Sequence, residues 1–466
     1  YKDSSTTTKV RIVFDASCPT STGVSLNDLL ANGPKVQDNI FHILLRFRLR
    51  RVALVGDVAK MYHQVKLTPA SQDYHRFYWR ELPDTPIKVY RMTRVCFGVK
   101  SAGHTAIRSL QLVADQSGDS SCQLAMRDFY VDDLISGGGS PEETFELLEK
   151  VVKTLKQGGF ELRKIGSSDQ NLVNSLPVEM RENANSFEFT DDEHAIKTLG
   201  ILWNPSLDTF NFQVKHLSEL PVSAKDEKKL ASKNVKVGIS PESLTKRKIL
   251  SDIAKIFDPL GLLSPVVITL KICMQEIWKT GLEWDVPLPS EVVLPYELWR
   301  EGLVLLRHFT MPRQAAYLVD AVKELHVFCD ASEKAYGAVV FLREVSSENE
   351  VGVNFLTAKA KVSPLKLMTI PKLELQAALT GVLLIEAVLH AMRFIKFQPK
   401  VFYWTDSTTV LHWLNNLPGK FNTFVANRVS LIQSSSQRSD LYNVPTETNP
   451  YYQGSHVTNT SPIRTP

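Results

Sequence analysis

Two adjacent carboxylates, Asp132 and Asp133, interrupt the short apolar run at residues 129–135. A run broken in this way predicts a β-hairpin with the acids at its tip. A second run, Val52-Ala53-Leu54-Val55-Gly56-Asp57, reads as a buried strand that delivers another acid at its end. Three carboxylates gathered at strand ends can hold a pair of hard divalent cations, which prefer oxygen ligands. Two such ions, ~3.5–4 Å apart, clamp the attacking and leaving oxygens of an in-line phosphoryl transfer. Each acid taken alone has a blander reading, because Asp closing a strand or filling a turn is commonly a turn former.

Around this feature, short β-rich runs alternate with helical stretches as far as residue 215. One helix is sharply punctuated. Ser140 can cap it, Pro141 suits its first position and Glu143 completes a capping box. Its apolar face is Phe145, Leu148, Val152 and Leu155, and Gly158-Gly159 stops it. Residues 216–318 are Lys-rich and then Pro-punctuated, with helical patterning at 244–257 and 270–278. From Glu324 the order is strand (325–329), strand (338–342), long helix (372–392) and strand (401–404), an α/β arrangement. Beyond about Ser434 the chain turns Ser/Thr/Asn/Pro-rich and reads as an unfolded tail.

That second α/β pattern carries its own acids. Asp330 closes its first strand, Glu374 lies on the long helix, and Asp406 follows the later strand. Carboxylates brought from strand, helix and strand are what a second two-metal site needs. Any one of them alone reads as a cap or a surface residue.

Composition sets the limits. At 466 residues, with 43% hydrophobic and 22% charged, the chain has globular composition and the length of about three domains of ~150 residues. A net charge of +4 permits a nucleic-acid partner without requiring one. Between Lys225 and Lys248, however, eight cations (Lys225, Lys228, Lys229, Lys233, Lys236, Lys246, Arg247, Lys248) face three acids, a local charge of +5. Such a cluster can neutralise phosphates or simply be a solvated surface. Five scattered cysteines without C-x-x-C spacing give neither a zinc site nor a disulfide framework, so a reducing compartment is expected. No apolar run approaches the ~18 residues of a membrane span and no signal peptide precedes the chain, so no membrane partner is expected. Residue 1 is Tyr rather than Met, and the expectation is a piece of something longer.

The motifs together resemble the reverse transcriptase and ribonuclease H region of BEL/Pao long-terminal-repeat retrotransposons. The resemblance rests on Tyr130-Val131-Asp132-Asp133 and on Lys9-Val10-Arg11-Ile12-Val13-Phe14-Asp15-Ala16-Ser17, Gly23-Val24-Ser25-Leu26-Asn27 and Phe97-Gly98-Val99-Lys100-Ser101-Ala102. It continues through Gly159-Phe160-Glu161-Leu162-Arg163-Lys164, Thr198-Leu199-Gly200-Ile201-Leu202-Trp203 and Phe257-Asp258-Pro259-Leu260-Gly261-Leu262-Leu263-Ser264-Pro265. Further on lie Phe328-Cys329-Asp330-Ala331-Ser332, Leu373-Glu374-Leu375-Gln376-Ala377 and Trp404-Thr405-Asp406-Ser407. It runs almost continuously from Asp3 to about Gln433.

The resemblance implies an α+β right-hand polymerase of fingers, palm and thumb, followed by an α/β ribonuclease H-like domain. The boundaries it suggests are 1–215 for fingers and palm, 216–318 for a thumb or connection, 319–434 for the ribonuclease H-like part, and 435–466 for the tail. It implies RNA- and DNA-directed DNA synthesis with Mg²⁺, or Mn²⁺, from deoxynucleoside triphosphates on an RNA template, a DNA primer or an RNA–DNA hybrid. Asp57, Asp132 and Asp133 match the catalytic metal ligands of the palm, and Asp330, Glu374 and Asp406 those of the ribonuclease H. Arg11 matches a fingers arginine on the triphosphate, where a planar fork suits phosphate oxygens. Tyr62 matches the aromatic that excludes a sugar 2′-hydroxyl; from its own context alone the core-aromatic reading is the preferred one. Phe97-Gly98 match the template-side strip, Lys164 the lysine that protonates pyrophosphate, and Thr198 to Trp203 the primer grip. The basic cluster then falls in the duplex-handling thumb. The implied location is the cytoplasm, within the element's virus-like particle, or the nucleus.

The likeness fails at the end. After Phe424-Val425-Ala426-Asn427-Arg428-Val429, a Pro-Ala-Asp motif carrying a fourth metal ligand is expected, but Val444-Pro445-Thr446-Glu447-Thr448-Asn449-Pro450 leads into Tyr451-Tyr452. Weak ribonuclease H activity is therefore expected, with Glu447 a poor substitute. Protease and integrase segments are absent from this sequence. Two rival readings stay open: an inactive nucleic-acid-binding remnant, and an RNA-synthesising polymerase, against which Tyr62 speaks.

Overall fold

In the computed structural model, residues 13–182, 196–198, 201–212, 244–254, 258–395, 398–436 and 440–451 are described. The chain divides into two compact units, the break lying at residues 196–209.

The first unit is organised by the strand predicted at 52–57. β1 (Val52–Val58) is buried at six of its seven positions, which is why it reads as a continuous apolar run. A small hairpin of β2 (Arg76–Trp79) and β3 (Lys88–Arg91) follows. The acid-bearing hairpin is β4 (Phe129–Tyr130) and β5 (Asp133–Gly138), and β6 (Leu162–Ser167) completes a sheet in the order β4-β5-β1-β6. Three helices flank it: α1 (Ile40–Leu49), α2 (Ala102–Ser117) and α3 (Pro141–Gln157). Leu54, Leu110, Leu134, Leu148, Leu155 and Ile165 form one buried core between helices and sheet. Burying each such side chain contributes roughly 1.5–3 kcal/mol.

α3 starts and stops as its sequence predicts, with one change. Ser140 Oγ accepts from the Glu143 backbone N–H at 3.2 Å, but the Glu143 carboxylate reaches back to the N–H of Gly139, at 2.8 Å, rather than to the cap residue. Its face is also rotated from the expected one: Leu148, Val151 and Leu155 are fully buried, and Phe145 and Val152 only partly.

A separate four-stranded sheet has the order β10-β9-β8-β7, from β7 (Ile196–Thr198), β8 (Ile201–Asn204), β9 (Thr209–Phe212) and β10 (Thr310–Pro312). The second unit is built on β11 (Val322–Ala331), β12 (Ala335–Val345), β13 (Val351–Val362), β14 (Lys400–Thr405) and β15 (Leu441–Asn443), in the order β13-β12-β11-β14-β15. The first three strands are antiparallel, and β14 and β15 run parallel to β11. Helix α4 (Ser264–Lys279) packs on β13. α5 (Ile370–Met392) packs on β11 and β12, with α6 (Thr423–Ser435) against it. Gly381 of α5 lets helix and strand meet, since a Cβ there would lie 2.5 Å from Cys329 Sγ. By length and composition α5 would also suit a membrane span, but 61% of its most apolar window is buried in the unit, as in a core helix.

Two expected boundaries are corrected. The chain does not divide at 318, because residues 258–263 are clasped to β13. The Leu260 carbonyl accepts from the Ala358 N–H and the Thr357 hydroxyl, at 3.0 and 2.6 Å. Gly261, at φ 70°, lies so close that a Cβ would stand 1.9 Å from the Ala358 oxygen. Asp258 accepts from the N–H groups of Leu262 and Leu263, shaping this turn ahead of α4. Nor is the whole stretch after 434 an unfolded tail. β15 pairs with β14, and Asn449 and Tyr451 are buried. Its polar residues are held by backbone pairing and hydrogen bonds, which need no apolar pattern.

Candidate functional site

The register of β1 with β5 places Asp57 directly opposite Asp133. Asp132 sits in the turn, where its carbonyl accepts from the Val58 N–H at 2.9 Å. The turn is tight enough to force Val131 to φ 56°. Asp133 is pushed up to about 7 by burial, then by the charges of Asp132 and Asp57, with Lys164 opposing. Asp57 is raised by burial, opposed by Lys164. The Lys164 ammonium lies 4.0 Å from Asp57 Oδ2.

Beside this hairpin the sequence-predicted pair Tyr62 and Phe97 come together, ring centroids 4.6 Å apart and tilted by 33°. Tyr62 sits on a one-turn helix, Met61–Gln64, directly after β1. The Phe97-Gly98 strip is pinned by its backbone. The Phe97 carbonyl accepts from the Phe14 N–H at 2.9 Å, and the Gly98 carbonyl accepts from Asn27 Nδ2 at 3.0 Å. Gly98 has φ 95°, and a Cβ there would stand 1.9 Å from the Phe14 oxygen, so only glycine fits. Arg11 lies outside the described residues. Of the expected primer grip, Thr198 ends β7 and Ile201 to Trp203 lie in β8, while Leu199 and Gly200 are outside the described residues. Of the basic cluster, Lys246, Arg247 and Lys248 open helix Lys246–Ala254, and Arg247 pairs with Asp285 at 2.7 Å; the others lie outside the described residues.

In the second unit, Asp330 from β11, Glu374 from α5 and Asp406 just past β14 converge, with one carboxylate oxygen from each within 4.8 Å of the others. Asp330 and Glu374 are 1% and 6% exposed. Burial, then the charges of Asp330 and Asp406, push Glu374 up to about 9. Its Oε2 is buried without a hydrogen-bond partner. An all-oxygen, anionic donor set with an orphaned buried oxygen fits a hard divalent cation. Asp57, Asp132 and Asp133 offer the same donor type, though among the described residues they do not form so tight a group.

The tail reaches this second centre with neutral groups. Thr446 Oγ1 donates to Asp406 Oδ2 at 2.7 Å, and Asn449 Nδ2 donates to the Cys329 carbonyl at 3.1 Å. The Tyr451 ring is buried against Gly337. Glu447 stays exposed and outside the carboxylate group, and Tyr452 lies outside the described residues. Sequence reasoning missed Thr446 and Asn449. Nothing in a Thr-x-Thr-Asn-Pro stretch announces partners 40 and 120 residues away.

Against protein-family models, residues 245–407 match the Pao retrotransposon-like RNaseH-like domain, a span that contains Asp330, Glu374 and Asp406. No curated protein matches the sequence. Among solved structures, the fold is similar to that of the foamy viral protease-reverse transcriptase dRH in complex with double-stranded DNA (TM-score 0.53, 14% identity, 94% of this chain and 63% of that one). It is also similar to foamy viral protease-reverse transcriptase in complex with an RNA/DNA hybrid (TM-score 0.51, 15% identity, 95% of this chain and 50% of that one). The chain thus spans between half and just under two thirds of these proteins, and at such identities the likeness is one of fold.

Proposed function

We propose that this chain, whose residues 245–407 carry a Pao retrotransposon-like RNaseH-like domain, is an RNA- and DNA-directed DNA polymerase with a weak ribonuclease H. The observation that carries the reading is the rung on which Asp57 faces Asp133, with Asp132 one residue away in the turn. Template, primer and hybrid are its nucleic-acid partners in this reading, and the foamy viral neighbours' complexes with DNA and hybrid support that. The first unit would supply fingers and palm, and the second the duplex-handling and ribonuclease H parts.

Asp57, Asp132 and Asp133 would hold Mg²⁺ or Mn²⁺ at one centre, and Asp330, Glu374 and Asp406 at the other. When bound, such ions supply the two-sided charge clamp of in-line phosphoryl transfer. The chain's own groups do the rest. Tyr62, backed by Phe97, would lie under the incoming sugar and crowd its 2′-hydroxyl. Gly98, lacking a side chain, lets the template-side strip run close to Phe14. Lys164 would hold a proton at Nζ for the departing pyrophosphate, and Arg11 would fork onto its phosphates.

Primer extension by the purified chain on poly-rA/oligo-dT with Mg²⁺ tests the reading. Incorporation of deoxynucleotides that disappears in Asp132→Asn supports it. Hybrid binding without extension would instead identify an inactive nucleic-acid-binding remnant.

A further inference from the structure

The acid-bearing hairpin is held from outside its sheet. Val131, at its tip, is β-branched and yet left-handed, with φ 56°. That conformation is costly for any side chain with a Cβ and is kept only where surroundings enforce it. One contact that holds it comes from a distant segment: the Val131 backbone N–H donates to Gln37 Oε1 at 3.1 Å, across 94 residues of chain.

Gln37 is itself anchored on both sides. The Val36 carbonyl accepts from Gln111 Nε2 of α2 at 2.9 Å. On the other side Asp38 accepts from Arg46 Nη1 of α1 at 2.8 Å. Arg46 is 1% exposed. It also donates from Nε to Asp128 Oδ1 at 2.7 Å and from Nη2 to the Arg127 carbonyl at 2.6 Å. Asp128 in turn accepts from Ser136 Oγ of β5 at 2.7 Å. Residues 37 and 38 therefore grip both ends of β4: Asp38 its base, through Arg46, and Gln37 its tip.

We infer that Gln37 is a positioning residue for nucleotidyl transfer, a role that rests on the polymerase reading above. Its side-chain oxygen holds the Val131 peptide left-handed and so fixes the direction of Asp132 and Asp133. Without that acceptor the tip can relax toward an ordinary extended φ. The carboxylates then lose their geometry while the rest of the fold, held by Arg46, stays in place. Misplacement of catalytic groups by about 1 Å typically costs up to roughly a hundredfold in rate.

The test uses the full chain and two readouts. In Gln37→Ala, hydrogen exchange of the peptide covering residues 129–134 should speed up several-fold, with peptides from α1 and β6 unchanged. Gln37→Glu keeps an oxygen acceptor and should restore slow exchange. In primer extension, Gln37→Ala should lower kcat roughly 10- to 100-fold, with KM for the nucleotide changed less than threefold. Adding Val131→Gly should recover most of that loss, because glycine adopts a positive φ freely. A role in stability alone would not be rescued in this way. Unchanged exchange in Gln37→Ala, or no recovery in the double variant, overturns the inference. If the unmodified chain extends no primer, the polymerase reading fails, while exchange still decides whether Gln37 holds Val131.

Discussion

Asp57 and Asp133 face each other across the β1–β5 ladder, a cross-strand pair of like charges. Directly opposed like charges destabilise a sheet, so the pairing is kept against the interest of the fold. The Lys164 ammonium, 4.0 Å from Asp57, offsets only part of it. Such sites are where carboxylates are used rather than merely tolerated.

Removing one charge from this group should therefore separate fold from function. Asp132→Asn should keep or slightly raise the melting temperature, because it relieves repulsion felt by Asp57 and Asp133. It should lower extension by roughly a thousandfold, since a metal clamp supplies several kcal/mol and each ~1.4 kcal/mol is tenfold in rate. Affinity for a hybrid should stay within a few-fold. Undiminished extension would remove these acids from the mechanism.

Tyr62 lies against Phe97, its half-buried ring tilted by 33° at the edge of two buried clusters. Tyr62→Ala should open space under the sugar. The ratio of kcat/KM for deoxynucleotide over ribonucleotide should fall about tenfold or more, the scale of 1–3 kcal/mol that a small steric difference commands. Steady-state incorporation of both sugars measures it. An unchanged ratio makes Tyr62 a packing residue only.

Glu374 predicts a pH dependence in metal-free protein. Burial, with Asp330 and Asp406 beside it, raises its carboxyl from 4.5 to about 9. Between those values the unfolded chain has lost a proton that the folded chain keeps, so raising pH through this window favours unfolding. The loss by pH 7 is on the order of 3 kcal/mol. Thermal melts from pH 5 to 9 with chelator should show the melting temperature falling as pH rises. Glu374→Gln should flatten the slope between pH 7 and 9, above the window in which Asp133 contributes a slope of the same sign, and added Mg²⁺ should flatten it there in the unmodified chain. A slope that survives Glu374→Gln would place its origin elsewhere.

Elements with strong local periodicity were legible in the sequence. The strand read at 52–57 forms at Val52–Val58, and the helix read at 372–392 forms at Ile370–Met392. Asp330, Glu374 and Asp406 could be grouped because each lies in a short recognisable context, and the structure brings them together. β13 has no such local signal, for a physical reason. It is an edge strand, buried only in its middle at Leu356, Thr357 and Ala358, so its pattern is not steadily apolar. The Leu260–Ala358 clasp and the Gln37–Val131 contact depend on close backbone approach over 98 and 94 residues, which no local pattern carries.

The Asp330–Glu374–Asp406 centre of the RNaseH-like domain should be folded but slow as a ribonuclease H. Folding rests on the β11–β14 sheet and α5, which bury Leu325, Val327, Leu375 and Ile385. Slowness rests on ligands. Asp330, Glu374 and Asp406 can hold one cation, but a second hard cation needs further anionic oxygen, and hydrolysis needs both ions. Where another carboxylate would be wanted, the tail brings the Thr446 hydroxyl, which occupies Asp406 Oδ2, and the amide of Asn449, already committed to Cys329. Glu447 lies exposed on the short 3-10 helix Thr446–Thr448. With a labelled RNA strand in a hybrid, primer extension should proceed with little release of RNA fragments. Mn²⁺, or Tyr452→Asp, should restore part of the cleavage. Thr446→Ala alone should not, because it frees a lone pair on Asp406 without adding charge. Brisk Mg²⁺-dependent cleavage by the unmodified chain would show that three carboxylates suffice here and that the neutral tail is no handicap.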